Sequence, residues 1–260
     1  MTETYVTFQK EGAIATITID RPKALNALNP EVLGQLAAAL RQAREDREVR
    51  GVILTGAGGK AFVAGADIAS MVDMPPERGL EFAELGLSTL QLIEDMPKPV
   101  VAAINGFALG GGLELALACD MIYATPKSRM GLPEVTLGIM PGFGGTQRLA
   151  RLIGRNRAKE LVFTGDKVDA ATAKAYGIVQ EVVEEDQLMA HCKAVLGRIA
   201  AVGPVAVGQC KRSINKGCDL ALDAGLAVEK MAFMSLFSTA DKKEGMKAFL
   251  EKRKADFKGE

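Results

Sequence analysis

Residues 110–114 read GGGLE, between the apolar run VVAAI at residues 100–104 and a helical pattern of apolar residues from Leu113. This order predicts a strand that leads through a glycine turn into a helix. The first N–H groups of a helix have no partner within it, and the helix dipole adds positive potential there. Glycines let a ligand approach those groups closely. The stretch therefore predicts a site for a negatively charged oxygen, with Glu114 in the first helical turn.

A second carboxyl group, Glu134, follows Pro133 later in the chain. Two carboxyl groups in one site can act as acid and base when their surroundings hold them in different protonation states. Each residue also has a simpler interpretation: Glu114 as an acid that only complements the helix dipole, and Glu134 as a loop or salt-bridge residue. Two further glycine clusters favour the first interpretation, which is carbonyl chemistry run by an acid and a base.

These two glycine clusters lie at residues 56–67 and 141–146. The first contains GAGGKA, a weak match to a dinucleotide-binding turn, because FVAGAD follows where a helix should begin. Its GAD segment is a better candidate for a second backbone donor, at Ala66, which would form an oxyanion hole together with Gly111. The second cluster, PGFGGT, fits a steric role beside the site and an ordinary turn before a helix equally well.

The composition narrows the classes of function. The 260 residues include 32 basic and 32 acidic side chains, so no positive excess predicts binding to nucleic acid or to an anionic membrane. The single histidine, His191, excludes a His-based metal cluster, and no serine stands in a G-x-S-x-G pattern that could partner it. We therefore predict no metal, and a small molecule or another copy of the chain as the partner.

The cellular setting is predicted from cysteine spacing and from apolar runs. The four cysteines have no CxxC spacing, which predicts reduced thiols, with Cys119 as a small apolar filler. No apolar run approaches the roughly 20 residues of a membrane span, and the first residues do not have the pattern of a signal segment. The sequence therefore predicts a cytoplasmic protein without a membrane partner.

Elsewhere, apolar patterns predict strands that alternate with helices. Strands are predicted at residues 5–8, 13–19, 51–55, 99–104, 121–124 and 178–182. A helix is predicted from Pro30, with Asn29 as its cap, and helices dominate after residue 144. This order favours an α/β core at residues 1–203 and a helical region at residues 204–260. The apolar residues of that region favour packing against another subunit, although internal packing explains them nearly as well.

Longer motifs follow one another along nearly the whole chain. They are RPKALNAL (21–28), GADI (65–68), NGFALGGGLELA (105–116), PEVTLGIMPG (133–142), GGTQRL (144–149) and EGMKAFLEKRK (244–254). Together they resemble the enoyl-CoA hydratase, or crotonase, family. The resemblance implies a crotonase-like spiral of β-β-α repeats and a helical C-terminal region that builds trimers, commonly paired into hexamers. It also implies an acyl-CoA thioester as the substrate.

The resemblance also implies roles for particular residues. Amides at the positions of Ala66 and Gly111 hold the thioester oxygen, Glu114 holds and deprotonates water, and Glu134 protonates carbon 2. Positions that match a substrate or CoA site are Ala24, Leu25, Ala64, Asp67, Ile68 and Gly142, with Phe249 and Lys252 reaching the CoA of a neighbouring subunit. For Lys252, a solvated charge is an equally good interpretation. Where some members have a lysine after Ala-Asp-Ile, this chain has Ala69.

Family members that keep both glutamates are typically hydratases. The resemblance thus implies reversible hydration of a 2-enoyl-CoA, with short chains such as crotonyl-CoA favoured, and no cofactor besides the CoA of the substrate. Double-bond isomerisation and hydration of a cyclic dienoyl-CoA are alternatives on the same fold. RNA binding, known for a crotonase relative, is an alternative of another class, and the balanced charge counts against it.

Overall fold

The computed structural model of the protein describes residues 3–260, in which strands and helices alternate. The strands are β1 (Val6–Glu11), β2 (Ile14–Ile19), β3 (Gly51–Gly56), β4 (Ala61–Val63), β5 (Val100–Ile104), β6 (Phe107–Leu109), β7 (Met121–Ala124), β8 (Arg129–Gly131), β9 (Lys167–Asp169) and β10 (Glu181–Val182). The helices are α1 (Pro30–Glu45), α2 (Pro76–Glu94), α3 (Gly111–Leu117), α4 (Gly145–Ile153), α5 (Arg155–Thr164), α6 (Ala170–Ala175), α7 (Leu188–Ala200), α8 (Pro204–Gly217), α9 (Leu222–Leu236) and α10 (Ala240–Leu250). Short 3-10 turns occupy Pro22–Ala24, Ile68–Ser70 and Pro133–Leu137.

The strands form two sheets. The larger sheet has six strands in the order β1-β2-β3-β5-β7-β10, and the smaller has four in the order β4-β6-β8-β9. Within them, β1 with β2 and β8 with β9 pair antiparallel, and the other pairs are parallel. In β3-β4-α2 and β5-β6-α3, the first strand lies in the larger sheet, the second lies in the smaller sheet, and a helix follows. This is the predicted spiral of β-β-α repeats.

The larger sheet carries the core. Every residue of β3 and β5 is buried, as expected for parallel strands that are covered on both faces. Helix α1 begins as predicted: the side chain of Asn29 accepts a hydrogen bond from the N–H of Val32 at 2.9 Å, and Pro30 is the first helical residue. The apolar face of α1 that the sequence predicts is buried in this core.

The sequence patterns missed the smaller sheet and overextended one strand. Strands β4, β6, β8 and β9 have three residues each, which is too short for alternation to be recognised. The strand predicted at residues 178–182 is confined to β10, because Ile178 and Val179 turn inwards after α6. Both of their N–H groups donate to the carbonyl of Ala173.

The C-terminal helices leave much apolar surface exposed. Helix α8 begins at Pro204, where the sequence predicts the boundary of the helical region, and that division stays a prediction. No residue of α9 is buried. Within residues 3–260, no single helix is long and apolar enough to cross a membrane; α7 and α8 pass together by length and composition, but they are bent by 107° at their junction.

Candidate active site

The loop before the second 3-10 turn is held so that Ala66 presents its amide. Ala66 forms an isolated parallel bridge with Leu28. The N–H of Leu28 donates to the carbonyl of Gly65, and the carbonyl of Leu28 accepts from the N–H of Asp67, both at 2.8 Å. Because the two flanking residues make these bonds, the N–H of Ala66 points to the opposite side of its strand.

The glycine turn before α3 lies against this loop. A Cβ built on Gly110 would lie 3.7 Å from the Cα of Gly65, so the two backbones lie close together. Gly111 is the first residue of α3, where N–H groups lack a partner within the helix. In the described part of the chain, the N–H groups of Ala66 and Gly111 make no hydrogen bond, and both residues border one cavity. The structure thus brings together the two predicted backbone donors.

This cavity has a volume of about 260 Å³ and contains both predicted carboxyl groups. Its lining also includes apolar side chains from α2, from the ends of the second and third 3-10 turns and from the loop before α4: Met71, Phe82, Ala83, Leu137, Ile139, Met140 and Phe143. A larger cavity of about 860 Å³, between the end of α1 and α8, contains none of the predicted site residues. We therefore assign the site to the smaller cavity, which has the acid–base groups and the free amides.

Glu114 is fixed by the start of α4. The residue is 1% exposed, and its Oε1 accepts hydrogen bonds from the N–H groups of Phe143 (2.8 Å) and Gly145 (2.6 Å). Gly145 has to be small, because a Cβ there would lie 3.0 Å from Oε1. Burial raises the pKa of Glu114, while the two amides and Arg148 act in the opposite direction. Oε2 makes no hydrogen bond within residues 3–260 and is free for a ligand.

Glu134 has a different environment. It lies in the third 3-10 turn, and in the described residues its buried Oε2 has no hydrogen-bond partner. Burial, and to a lesser extent the negative charge of Glu114, raise the pKa of Glu134 to about 7. Gly110 makes room for it: a Cβ on Gly110 would lie 2.8 Å from Oε1 of Glu134. One carboxyl group with two amide donors and one with a pKa near neutrality can serve as base and acid.

The remaining predicted residues fall into three groups. Ala64, Ile68 and Gly142 border the cavity, and Leu25 lies beside it, with its carbonyl accepting from the N–H of Ala64 at 3.1 Å. Ala24 ends the 3-10 turn just before Leu25.

Asp67, Phe249 and Lys252 do not border the cavity of their own chain. The carboxylate of Asp67 is paired with the guanidinium of Arg21 at 2.7 Å. Phe249 is 82% exposed near the end of α10, and Lys252 is exposed just after it. The role predicted for these two residues, at the CoA of a neighbouring subunit, stays a prediction.

Sequence reasoning missed three aromatic and backbone features of the site. The predicted cluster at residues 141–146 provides the donors of Phe143 and Gly145 to Glu114, so it is more than a turn. The ring of Phe143 packs edge-on against Phe82 with 5.2 Å between centroids. Gly86, one turn after Phe82 on α2, leaves the space that the Phe143 ring fills. The spacing of Phe82 and Gly86 on one helix face was the available signal.

Replacing Glu134 by Gln should stabilise the fold above neutral pH. The folded pKa of about 7 lies above the ordinary value of 4.5, so ionisation is disfavoured in the folded protein. Its cost to stability grows as the pH rises from about 4.5 to about 7 and then stays constant. We expect E134Q to gain on the order of 2 kcal/mol in the free energy of unfolding at pH 8 over wild type, and little at pH 4.5.

Urea denaturation at both pH values measures this difference, with the exposed Glu160→Gln as the control variant. An equal gain for E134Q at pH 4.5 and pH 8 would show that the gain does not come from the ionisation of Glu134.

The sequence of the chain is similar to those of known proteins. Residues 9–260 match the family described as enoyl-CoA hydratase/isomerase. The chain is 49% identical over 251 residues to a short-chain-enoyl-CoA hydratase of Clostridium acetobutylicum, covering 96% of each chain. It is 47% identical to a crotonyl-CoA hydratase of Syntrophomonas wolfei, covering 97% of each.

Solved structures agree with this result. The fold matches the crystal structure of an enoyl-CoA hydratase from Bacillus anthracis with a TM-score of 0.95 and 42% identity. The match covers 99% of this chain and 100% of that one. A second structure, an enoyl-CoA hydratase of Geobacillus kaustophilus, matches with a TM-score of 0.93 over 99% of each chain. From residue 9 to the end, this chain belongs to the enoyl-CoA hydratase/isomerase family.

Proposed function

We propose that the protein is a hydratase that adds water reversibly to short-chain 2-enoyl-CoA thioesters, converting crotonyl-CoA to 3-hydroxybutyryl-CoA. The observation that carries this proposal is one cavity that joins two free amides to two carboxyl groups, one with a pKa of about 7. The names of the relatives at 49% and 47% identity support the substrate class.

The amides stabilise the charge that the reaction develops. As water adds to carbon 3 of the enoyl group, negative charge builds on the thioester oxygen. We place this oxygen between the N–H groups of Ala66 and Gly111, which are fixed before the substrate binds. Removing one such donor typically raises the barrier by about 3 kcal/mol.

The two glutamates move the protons. Oε2 of Glu114, which has no partner in the described chain, takes a proton from water while the water oxygen bonds to carbon 3. Protonated Glu134 gives its proton to carbon 2, so the product gains the elements of one water molecule. Glu114 leaves the step protonated and Glu134 ionised, and one proton must pass from Glu114 to Glu134 to restore both. The reverse reaction exchanges the two roles.

The apolar wall of the cavity supports a short acyl group. Phe82 and Phe143, which pack edge-on against each other, line the cavity together with Leu137 and Ile139. A volume of about 260 Å³ has to hold the acyl group and the reacting water. We assign the CoA end of the substrate to Ala24, Leu25, Ala64, Asp67, Ile68 and Gly142, and we propose no cofactor besides this CoA.

We also propose that the protein forms a homo-oligomer, either a trimer or a pair of trimers. Helices α9 and α10 expose large apolar side chains, among them Leu226, Phe233, Phe237 and Phe249. A second subunit packed there would bury these side chains and could bring Phe249 and Lys252 to the CoA of its neighbour. Free thiols at the four cysteines support the proposal of a cytoplasmic location.

The function is tested with purified wild-type protein and crotonyl-CoA. Hydration removes the conjugation of the double bond with the thioester, so we expect rapid loss of its ultraviolet absorbance and formation of 3-hydroxybutyryl-CoA by mass spectrometry. A 3-enoyl-CoA and a cyclic dienoyl-CoA are assayed in parallel. Turnover of either one without turnover of crotonyl-CoA would replace the hydratase proposal with the corresponding alternative.

A further inference from the structure

Arg148 joins the backbone that holds Glu114 to a second helix. It lies on α4, and its Nη1 donates to the carbonyl of Phe143 at 2.7 Å. Its Nε and Nη2 donate to the two carboxylate oxygens of Glu94 on α2, at 2.7 and 3.0 Å. The planar guanidinium is thus held by a paired contact on one side and uses its remaining edge to hold a peptide carbonyl.

The same peptide segment positions Glu114. The carbonyl of Phe143 accepts from Arg148, and the N–H of Phe143 donates to Oε1 of Glu114 at 2.8 Å. The N–H of Gly145 supplies the second bond at 2.6 Å. A rotation of this segment would move both donors, because they are separated by only one residue.

The segment is built to admit Arg148. Gly144 has a φ of 98°, in the left-handed region that favours glycine, and the guanidinium of Arg148 occupies the space of a Cβ at that residue. The side chain of Arg148 is 17% exposed and that of Glu94 is 27% exposed, so the pair is partly shielded from water. A partly shielded pair with paired hydrogen bonds holds its geometry better than an exposed ion pair.

We propose that Arg148, clamped by Glu94, is a positioning residue that fixes the Phe143 and Gly145 amides and thereby aims the free oxygen of Glu114 at the reacting water. The effect on catalysis rests on the proposed function, whereas the positioning of Glu114 by Arg148 does not. Arg148 touches neither the substrate site nor the reacting atoms; its effect passes through the peptide segment.

The charge of Arg148 should also change the ionisation of Glu114. The charged groups around Glu114 are Glu134, from the third 3-10 turn, and Arg148, with Glu94 behind it from α2. Arg148 lowers the pKa of Glu114, so its removal should raise that pKa. Since Glu114 has to be ionised to accept a proton from water, the fall of kcat/KM at low pH should then begin at a higher pH.

The test compares Arg148→Met with Arg151→Met, in which an ion pair from the same helix is lost. Nε of Arg151 contacts Asp219 at 2.8 Å, with both side chains more than half exposed, and this pair has no link to Glu114. We expect R148M to lower kcat for crotonyl-CoA on the order of 100-fold, with KM within threefold of wild type. The acidic limb of its kcat/KM profile, where the rate falls at low pH, should be displaced to higher pH. R148K keeps the charge without the planar fork, so its kcat should fall while its acidic limb stays near that of wild type.

Less than a threefold difference in kcat between R148M and R151M would overturn the proposal, and so would a loss in R148M without displacement of the acidic limb. If R148M does not fold, Glu94→Gln provides the test, because it keeps Arg148 and weakens its clamp. E94Q should then lower kcat on the order of 10-fold with an intact thermal unfolding transition. An unchanged kcat in folded E94Q would overturn the proposal that Arg148 acts through its contact with Glu94.

A titration without substrate separates this inference from the proposed function. The carboxyl carbon of Glu114 is followed by NMR against pH in the Glu134→Gln background, which removes the coupled second carboxyl group. A higher titration midpoint of Glu114 in R148M than in R151M supports the link from Arg148 to Glu114, on which the positioning role depends, even if crotonyl-CoA is not hydrated. Equal midpoints overturn the role even if the protein is an active hydratase.

Discussion

Replacing either Glu114 or Glu134 by Gln should lower kcat for hydration of crotonyl-CoA by about 10²- to 10⁴-fold. Gln is close in size to Glu, and its carbonyl oxygen can still accept the hydrogen bonds that Phe143 and Gly145 donate to Glu114. The geometry should therefore survive while the ability to accept or donate the proton is lost. Absorbance of the conjugated thioester measures the rate, with Glu160→Gln on α5 as the control.

The double variant distinguishes two groups that act together from two that act alone. If both proton transfers belong to one step, E114Q/E134Q should be little slower than the slower single variant, because groups that act as a unit are not additive. Single variants that both stay within 10-fold of wild type would show that this carboxyl pair does not move the protons. The residual rate of the double variant would reflect the amides and substrate binding alone.

The two glutamates could be predicted from sequence for different reasons, because only Glu114 has a local signal. Glu114 follows a strand, a glycine turn and a helix start, and this order was confirmed by β5, β6 and α3. For Glu134, only the neighbouring glycine clusters and the family motif favoured a site residue over a loop residue, because a carboxylate after a proline has no periodic pattern. Its environment, with a buried Oε2 and a pKa of about 7, depends on residues distant in sequence.

Other features of the site could not be predicted from local sequence patterns. The approach of Gly65 to Gly110 depends on the smaller sheet, whose three-residue strands carry no recognisable alternation. The contact from Arg148 to Phe143 joins a helix to the turn before it. Glu94, which pairs with Arg148, lies 54 residues earlier in the chain. Such long-range contacts are set by packing, which single-sequence periodicity does not encode. The roles of Phe249 and Lys252 stay predictions, because they involve a second subunit.

Removal of the Gly111 amide should lower kcat/KM for crotonyl-CoA about 10²- to 10³-fold, because one of the two donors that we assign to the oxyanion hole is lost. Gly111→Pro removes this N–H without breaking a hydrogen bond of the fold. Gly111 is the first residue of α3, a position that proline favours, and in the described chain its N–H donates to nothing. The preceding Gly110 has no Cβ to meet the proline ring.

Gly111→Ala is the matched control, since it keeps the N–H and introduces the same Cβ. That Cβ would lie 3.3 Å from Cδ2 of Phe143 and 3.4 Å from Cδ1 of Leu28, a tight fit that both variants share. Crowding by the Cβ therefore appears in G111A, and the further loss in G111P reports the replacement of the N–H by the ring carbon Cδ. Both should unfold at similar temperatures, because the bond from the N–H of Glu114 to the carbonyl of Gly110 at 3.0 Å is kept. Equal kcat/KM values for folded G111P and G111A would exclude Gly111 from the oxyanion hole and leave Ala66 as its only assigned donor.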